Sequence, residues 1–445
     1  MLGRLKGKLP QETHVEFSRR QFVASTAAAF GATRAFGAND RVRVGWIATG
    51  SRGKHVMKQM YLNSRDFVTV TAVCDTYQGN LAQGKDIVQS EEKTTPKTYV
   101  DYRDVLNDPN VDVVFICSPE HLHYPMAMAA LKANKHIYLE KPIGHTIDEG
   151  ADIVKLAEKT GKVVQVGTQN RSNKLYIHAK KMVEDGAIGE VHYVRAFWYR
   201  NFDPQADPAK TTPAAWRYVI PADASPENTD WKRFLEAAEH KNIPFDKGRY
   251  FQWRNYWDYS GGISTDLLVH QTDISNFVCN KTVPSSCVAS GGVYQWDKRF
   301  NDDREVPDTL SAIYEYPDQF HLNYSCYFGN DQYGYGEQFM GHKGTIEVMD
   351  RQNLHFYPQP KFIKGADPFT KVPETHLNYM KDFNQPDATA DHVRNFIDAV
   401  LGKAKAIAPA RAGQIAAIPG HLATLSYRNN RKIYWDARTE KYRFS

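Results

Sequence analysis

Five short runs of β-branched and aliphatic residues, at 42–48, 68–74, 111–117, 136–139 and 163–166, alternate with stretches of helical character. Runs this uniformly apolar leave no polar face for water and suit strands covered on both sides. Joining such strands through helices makes them parallel, since a parallel neighbour needs a crossover connection. The expectation for residues 41–167 is therefore an α/β unit with a doubly wound parallel sheet.

Downstream the pattern changes. Residues 191–199, 310–316, 320–328 and 345–349 alternate apolar with polar, as in strands with one solvated face, which predicts an α+β unit over 168–445 with a mostly antiparallel sheet. At 445 residues the chain exceeds one hydrophobic core, so two domains after a short leader, residues 1–40, are expected. Residues 202–242, rich in Pro, Asp and Ala, read as a long inserted loop with a short helix at 231–239, of the kind used as a lid or an interface arm. From Asp391 a helix carrying His392 and Asn395, then residues 409–427 and 431–436, are expected to pack on the fold.

The first strand runs into Gly45-Trp46-Ile47-Ala48-Thr49-Gly50-Ser51-Arg52-Gly53, close to G-x-G-x-x-G with Ala48 in the first glycine place. Gly50 would let backbone approach a pyrophosphate, Gly53 would let the helix pack on the strand, and the helix N-terminus would meet the anion, with Ser51 and Arg52 in its first turn. The Ala48 methyl is tolerable if φ stays negative there. Asp75 ends the second run, where a carboxylate can accept from the adenosine ribose hydroxyls and repel a 2′-phosphate. NAD is thus favoured over NADP, which Arg52 would accommodate by swinging toward the ribose.

Ser118-Pro119-Glu120-His121-Leu122-His123 follows a strand where loops gather over the nicotinamide side, making Ser118, His121 and His123 candidates for cofactor contact; helix-start or surface placement is the alternative for both histidines. Lys141, in Glu140-Lys141-Pro142 after the fourth run, can donate to a substrate oxygen while charged, held by Glu140. In the helical pattern of residues 263–278, Asp266 and His270 stand four apart on one face and can address one hydroxyl. The segment Arg249-Tyr250-Phe251-Gln252-Trp253-Arg254-Asn255-Tyr256-Trp257-Asp258-Tyr259 interleaves rings with polar groups, as a sugar requires, and Trp253 and Arg254 are its candidates. Arg171 is a further candidate for hydroxyl or carboxylate recognition, with structural ion pairing as the alternative for both arginines.

Ser118-Pro119, Glu140-Lys141-Pro142, Gly167-Thr168-Gln169-Asn170-Arg171, Gly186-Ala187-Ile188-Gly189 and Gly261-Gly262 leading to Asp266 and His270 occur in an order that resembles the Gfo/Idh/MocA oxidoreductases. The resemblance implies an N-terminal Rossmann domain and a C-terminal domain whose large open sheet forms the substrate site and often an oligomer interface, in a homo-oligomer (dimer or tetramer). It implies Lys141 as the lysine binding the reacting oxygen, His270 as general base and Asp266 as the group orienting or sharing protons with that histidine. Gln169 joins the cofactor-binding set. Substrates implied are sugars, cyclitols and their derivatives.

A net charge of +5 spread along the chain argues against nucleic acid as a partner. Mean hydropathy of -0.57 argues against several membrane spans. The five cysteines lack close-paired metal-ligand spacing and most read as buried, inert thiols; no metal is expected. Ser18-Arg19-Arg20-Gln21-Phe22-Val23 before an Ala-rich stretch resembles a twin-arginine export signal, against a disordered basic N-terminus. That route carries folded proteins, so a periplasmic product would hold its NAD tightly and recycle it with a second sugar or ketone. Three readings stand: a sugar or cyclitol oxidoreductase, an NAD-dependent glycosidase working by transient oxidation and elimination, and a noncatalytic sugar- or NAD-binding regulator.

Overall fold

A computed structural model describes residues 41–202, 214–297, 302–362, 375–384 and 387–445. The twin-arginine-like segment lies outside the described residues.

Six parallel strands, β1 (Val42–Ile47), β2 (Val68–Cys74), β3 (Lys97–Tyr99), β4 (Val113–Ile116), β5 (His136–Leu139) and β6 (Val164–Val166), form one sheet in the order β3-β2-β1-β4-β5-β6. The chain reverses direction across the sheet between β1 and β4, which leaves a crevice at their C-terminal ends. The loops after β1, β4 and β5 all open there. β3 was not legible as a strand: its three residues are an edge, two of them exposed, and carry no apolar run. Inside the sheet Trp46 stacks on Phe115 at 4.4 Å and Phe115 on Tyr138 at 4.9 Å.

The second sheet has ten strands: β7 (Val191–Tyr199), β8 (Ser286–Gly292), β9 (Thr309–Glu315), β10 (His321–Tyr327), β11 (Tyr335–Gly341), β12 (Gly344–Met349), β13 (Asn353–Pro358), β14 (Thr375–Asn378), β15 (Ile433–Asp436) and β16 (Lys441–Phe444), in the order β14-β13-β12-β11-β7-β10-β9-β8-β15-β16. All pairings are antiparallel except β7 with β10. β9 buries every second residue, as a sheet with one open face requires.

Two helices from beyond residue 168 pack back on the first sheet. Helix Thr389–Val400 returns to the first sheet: Phe396 sits edge-on to Phe115 at 5.5 Å, Gln165 Nε2 donates to His392 O at 2.6 Å, and His392 Nε2 bonds Val166 O at 2.9 Å. Helix Ala410–Asn429 contributes Ala410 and Ala417 to the core under the parallel sheet, and Ile418 and Leu422 to the core of the second. The two halves are thereby pinned around the crevice. Among the described residues no helix is long and apolar enough to cross a membrane.

Candidate active site

The crevice is a cleft of about 720 Å³ reached by Gly50, Arg52, Asp75, Ser118, Glu140, Lys141 and Gln169 from the first half and Trp253, Arg254, Asp266 and His270 from the second. It lies in the size range of cofactor and substrate sites.

At the turn after β1, Ala48 has φ +68, not the negative value expected. The chain needs the left-handed region to leave the strand, and alanine bears that strain where glycine would not. A Cβ at Gly53 would come within 2.1 Å of Ala48 O, so helix and strand touch there. A Cβ at Gly50 would meet only Asn80, at 3.8 Å. Nothing in the protein requires glycine at 50, which fits a position left clear for a ligand. Helix Ser51–Ser64 begins there without a side-chain cap, leaving its first N–H groups for an anion.

Asp75 is buried, and its carboxylate accepts from Thr49 N (2.7 Å), Tyr77 N (2.9 Å) and Tyr250 Oη (3.4 Å). Burial pushes its pKa up against those bonds. Arg52 does not swing toward the ribose side: its Nε donates to Glu140 Oε1 at 2.8 Å while its Nη2 is buried without a partner. Ser118 Oγ and Gln169 Oε1 are likewise buried and unpartnered at the cleft. An unsatisfied buried polar group is costly, and three lining one cleft suit the polar edge of a dinucleotide.

Lys141 Nζ donates to Asp266 Oδ1 at 2.6 Å and to Asp266 O at 2.7 Å, with both side chains about nine-tenths buried. This corrects the expected Glu140–Lys141 pairing, because Glu140 is engaged by Arg52. Arg254 Nε also reaches Asp266 Oδ1, at 3.1 Å, and its guanidinium lies 4.1 Å from the Trp253 ring. Against burial, these two cations hold the Asp266 carboxyl well below the usual range. Asp266 therefore orients the lysine, and no hydrogen bond joins it to His270, a second correction.

Asp266 lies in a π-helical turn, Ser264–Leu268, that passes into helix Val269–Cys279 carrying His270. Such wide turns recur at functional sites, and apolar periodicity does not reveal them. His270 Nδ1 is buried without a partner, and its ring stacks on Trp198 at 6.1 Å between centroids. Burial, followed by the Arg351 and Lys141 cations, pushes its pKa well below the ordinary value. That shift favours the neutral imidazole, the form that can accept a proton.

Three sequence candidates stand elsewhere. His121 and His123 are outside the cleft lining and stand, buried, at a helix start, the alternative the sequence left open: His121 Nε2 bonds Phe234 O at 2.7 Å, and His123, the first residue of helix His123–Lys132, bonds Pro142 O and Ser118 O at 2.6 and 3.0 Å. They brace the loops from behind. Arg171 also misses the cleft, ion-paired to Asp273 at 2.7 Å with its guanidinium over Phe277. Of the cysteines, Cys74 and Cys117 reach the cleft; all five are free, and burial raises every thiol among Cys74, Cys117, Cys279, Cys287 and Cys326.

The inserted segment was expected as a long loop with a short helix, a lid or an interface arm. Its described part lies over the cleft: Tyr218, Pro221, Arg233 and Phe234 line it, as do Tyr250 and Phe251 from the aromatic run. It is tied down by Gln78 N to Asn228 O (3.0 Å), Asp230 N to Thr76 O (2.8 Å), Tyr77 Oη to Asp223 (2.7 Å) and Arg233 to Asp101 (2.7 Å). Helix Trp231–Phe234 is shorter than expected. Tyr250 sits beside Asp75, so part of the run read as sugar-binding faces the dinucleotide end.

Residues 42–168 match the Gfo/Idh/MocA model described as "Oxidoreductase family, NAD-binding Rossmann fold", and residues 235–434 match its "Oxidoreductase family, C-terminal alpha/beta domain". An inositol 2-dehydrogenase/D-chiro-inositol 3-dehydrogenase of Lactiplantibacillus plantarum is 35% identical over 165 residues, 37% of this chain and 44% of that protein. A glycosyl hydrolase family 109 protein of Shewanella baltica is 30% identical over 183 residues, 40% of this chain and 39% of that protein. The chain thus spans less than half the length of either relative. A solved levoglucosan dehydrogenase in complex with NADH and levoglucosan superposes with TM-score 0.65 at 16% identity, covering 91% of this chain and 99% of that one, a likeness of fold.

Proposed function

Because the chain belongs to the Gfo/Idh/MocA oxidoreductase family and carries its NAD-binding Rossmann domain, we propose that it oxidises a secondary hydroxyl of a sugar or cyclitol, or runs the reverse reaction. The observation that carries this reading is the convergence on one cleft of a buried Lys141–Asp266 pair, 2.6 Å apart, and His270 with a buried, unpartnered Nδ1. When bound, NAD supplies a nicotinamide C4 that takes or gives hydride. His270 accepts the hydroxyl proton as the carbinol carbon is oxidised. Lys141 donates to the substrate oxygen and offsets its developing charge, while Asp266 and Arg254 keep the ammonium aimed. Trp253 offers a ring face for the C–H face of a sugar.

Gly50, the helix N-terminus at Ser51, Asp75, Ser118 and Gln169 would hold the dinucleotide. The Arg52–Glu140 pair supports NAD over NADP, since the one arginine of the turn is drawn toward Glu140 rather than toward the ribose side. The segment over the cleft supports a tightly held cofactor, recycled by a second sugar or ketone. With the twin-arginine-like leader, this reading extends to export of the folded holoprotein to the periplasm. It also extends to a homo-oligomer, dimer or tetramer, built through the open sheet face.

The test is mass analysis of the dinucleotide that copurifies, followed by a sugar and cyclitol panel read at the NADH absorption. Retained NAD(H) and net NADH, or a reduced second sugar, support the oxidoreductase. Aglycone release without net redox would replace it with the glycosidase, and binding without turnover would replace it with the regulator.

A further inference from the structure

Glu120 opens the turn Glu120–Leu122 after β4 and is 1% exposed. It is outside the cleft lining and has no part in the chemistry above. Its carboxylate crosses to the other half of the molecule: Oε1 accepts from Ser260 Oγ at 2.9 Å, and Oε2 from Gly261 N at 3.0 Å and Thr265 Oγ1 at 2.7 Å. Ser260 Oγ in turn accepts from Gly262 N at 3.0 Å. These donors surround the entry to the π-helical turn, and Thr265 immediately precedes Asp266.

A second strap comes from the loop that carries Lys141. His145 Nε2 bonds Trp257 O at 3.2 Å, and its Nδ1 lies 3.9 Å from Glu120 Oε2. Two loops of the parallel-sheet half therefore grip the segment just upstream of Asp266 and His270. A carboxylate suits the junction because two oxygens can take three converging donors at once.

We propose that Glu120 is a positioning residue that fixes the start of the helix bearing Asp266 and His270 to the dinucleotide-binding half, setting the distance between those groups and the nicotinamide end of the cleft. This rests on the oxidoreductase reading. Displacement of reacting groups by about 1 Å costs about 10²-fold in rate, so the tie is worth that much to turnover.

The test uses holoprotein loaded with NAD and the best substrate of the panel, comparing wild type with Glu120→Ala, Glu120→Gln and Thr265→Val. Glu120→Ala and Thr265→Val are expected to lower kcat, the alanine variant by about 10²-fold, with NADH affinity changed by less than about threefold and a larger isotope effect from substrate deuterated at the carbinol carbon. Glu120→Gln keeps an acceptor for Gly261 and Thr265 and should recover most of the loss. Hydrogen exchange should accelerate in residues 261–270 of the alanine variant and stay unchanged in the first sheet. If that variant does not fold, Thr265→Val, which removes one bond, gives the same readouts. Wild-type kcat with unchanged exchange at 261–270, or a loss confined to NADH affinity, overturns the proposal. A wild-type protein inert on the whole panel refutes the oxidoreductase reading instead, and the exchange result then decides the positioning role alone.

Discussion

The Lys141 ammonium lies 2.6 Å from Oδ1 of Asp266 and 2.7 Å from the carbonyl oxygen of the same residue, 125 positions away in the chain. One end of that double contact comes from the loop after β5, the other from the π-helical turn, so the pair exists only when the two halves are closed on each other.

Lys141→Ala and His270→Ala should each slow turnover by about 10²-fold or more with NAD still bound, because one loses the oxygen donor and the other the base. Steady-state kcat and NADH titration check this together. Near-wild-type rates in both variants would remove these residues from the mechanism.

The acidic limb of the kcat/KM profile should fall below pH 6.5. A base must be unprotonated, and burial with the Arg351 and Lys141 cations depresses the His270 pKa. Activity therefore rises with pH through that depressed value and then levels. Arg351 stands 4.9 Å from the Trp198 ring on which His270 stacks, so Arg351→Gln should move the limb to higher pH. An unmoved limb would show that Arg351 does not bias the histidine.

Arg171→Ala should leave KM for substrate unchanged yet lower stability by about 3 kcal/mol, the typical cost of stranding one member of a buried pair, here Asp273. Denaturant unfolding beside steady-state kinetics separates this from a substrate-binding role, which would raise KM.

Glu337 is buried, with Tyr176 Oη donating to it at 2.5 Å, and burial pushes its pKa up to about 7. A raised carboxyl favours folding while protonated: its contribution is full below the unfolded value near 4.5 and is lost as pH rises through about 7. That difference corresponds to about 3 kcal/mol. Melting temperature against pH should therefore decline between those values in the wild type and be flatter in Glu337→Gln.

Ala48→Gly should stabilise the protein by about 1 kcal/mol, the left-handed strain relieved at φ +68 exceeding the entropy glycine adds to the unfolded chain. Thermal unfolding reads it directly, and a lower melting temperature would mean that the turn bears no such strain.

Five of the six parallel strands, the turn from Gly45 to Gly53, and the meeting of Lys141, Asp266 and His270 at one cleft were legible in the chain. Each is written locally, as a run of β-branched residues, a glycine spacing or a motif in a set order. The edge strand β3 was not legible, because a strand with nothing to bury needs no apolar pattern. The π-helical turn was hidden because widening a helix by one residue leaves its composition unchanged.

Charge pairing was the part decided in three dimensions. The sequence set Glu140 beside Lys141 and Asp266 beside His270, but folding gave Glu140 to Arg52, Asp266 to Lys141 and Arg254, and Arg171 to Asp273. A buried ion takes whichever counter-ion shares its desolvated space, and that depends on distance through the closed molecule rather than along the chain. Hydrophobic periodicity is a property of neighbours in sequence, so the chain alone determined which surfaces are covered; only tertiary packing, within each half and, for Lys141 and Asp266, between them, determined which charges meet.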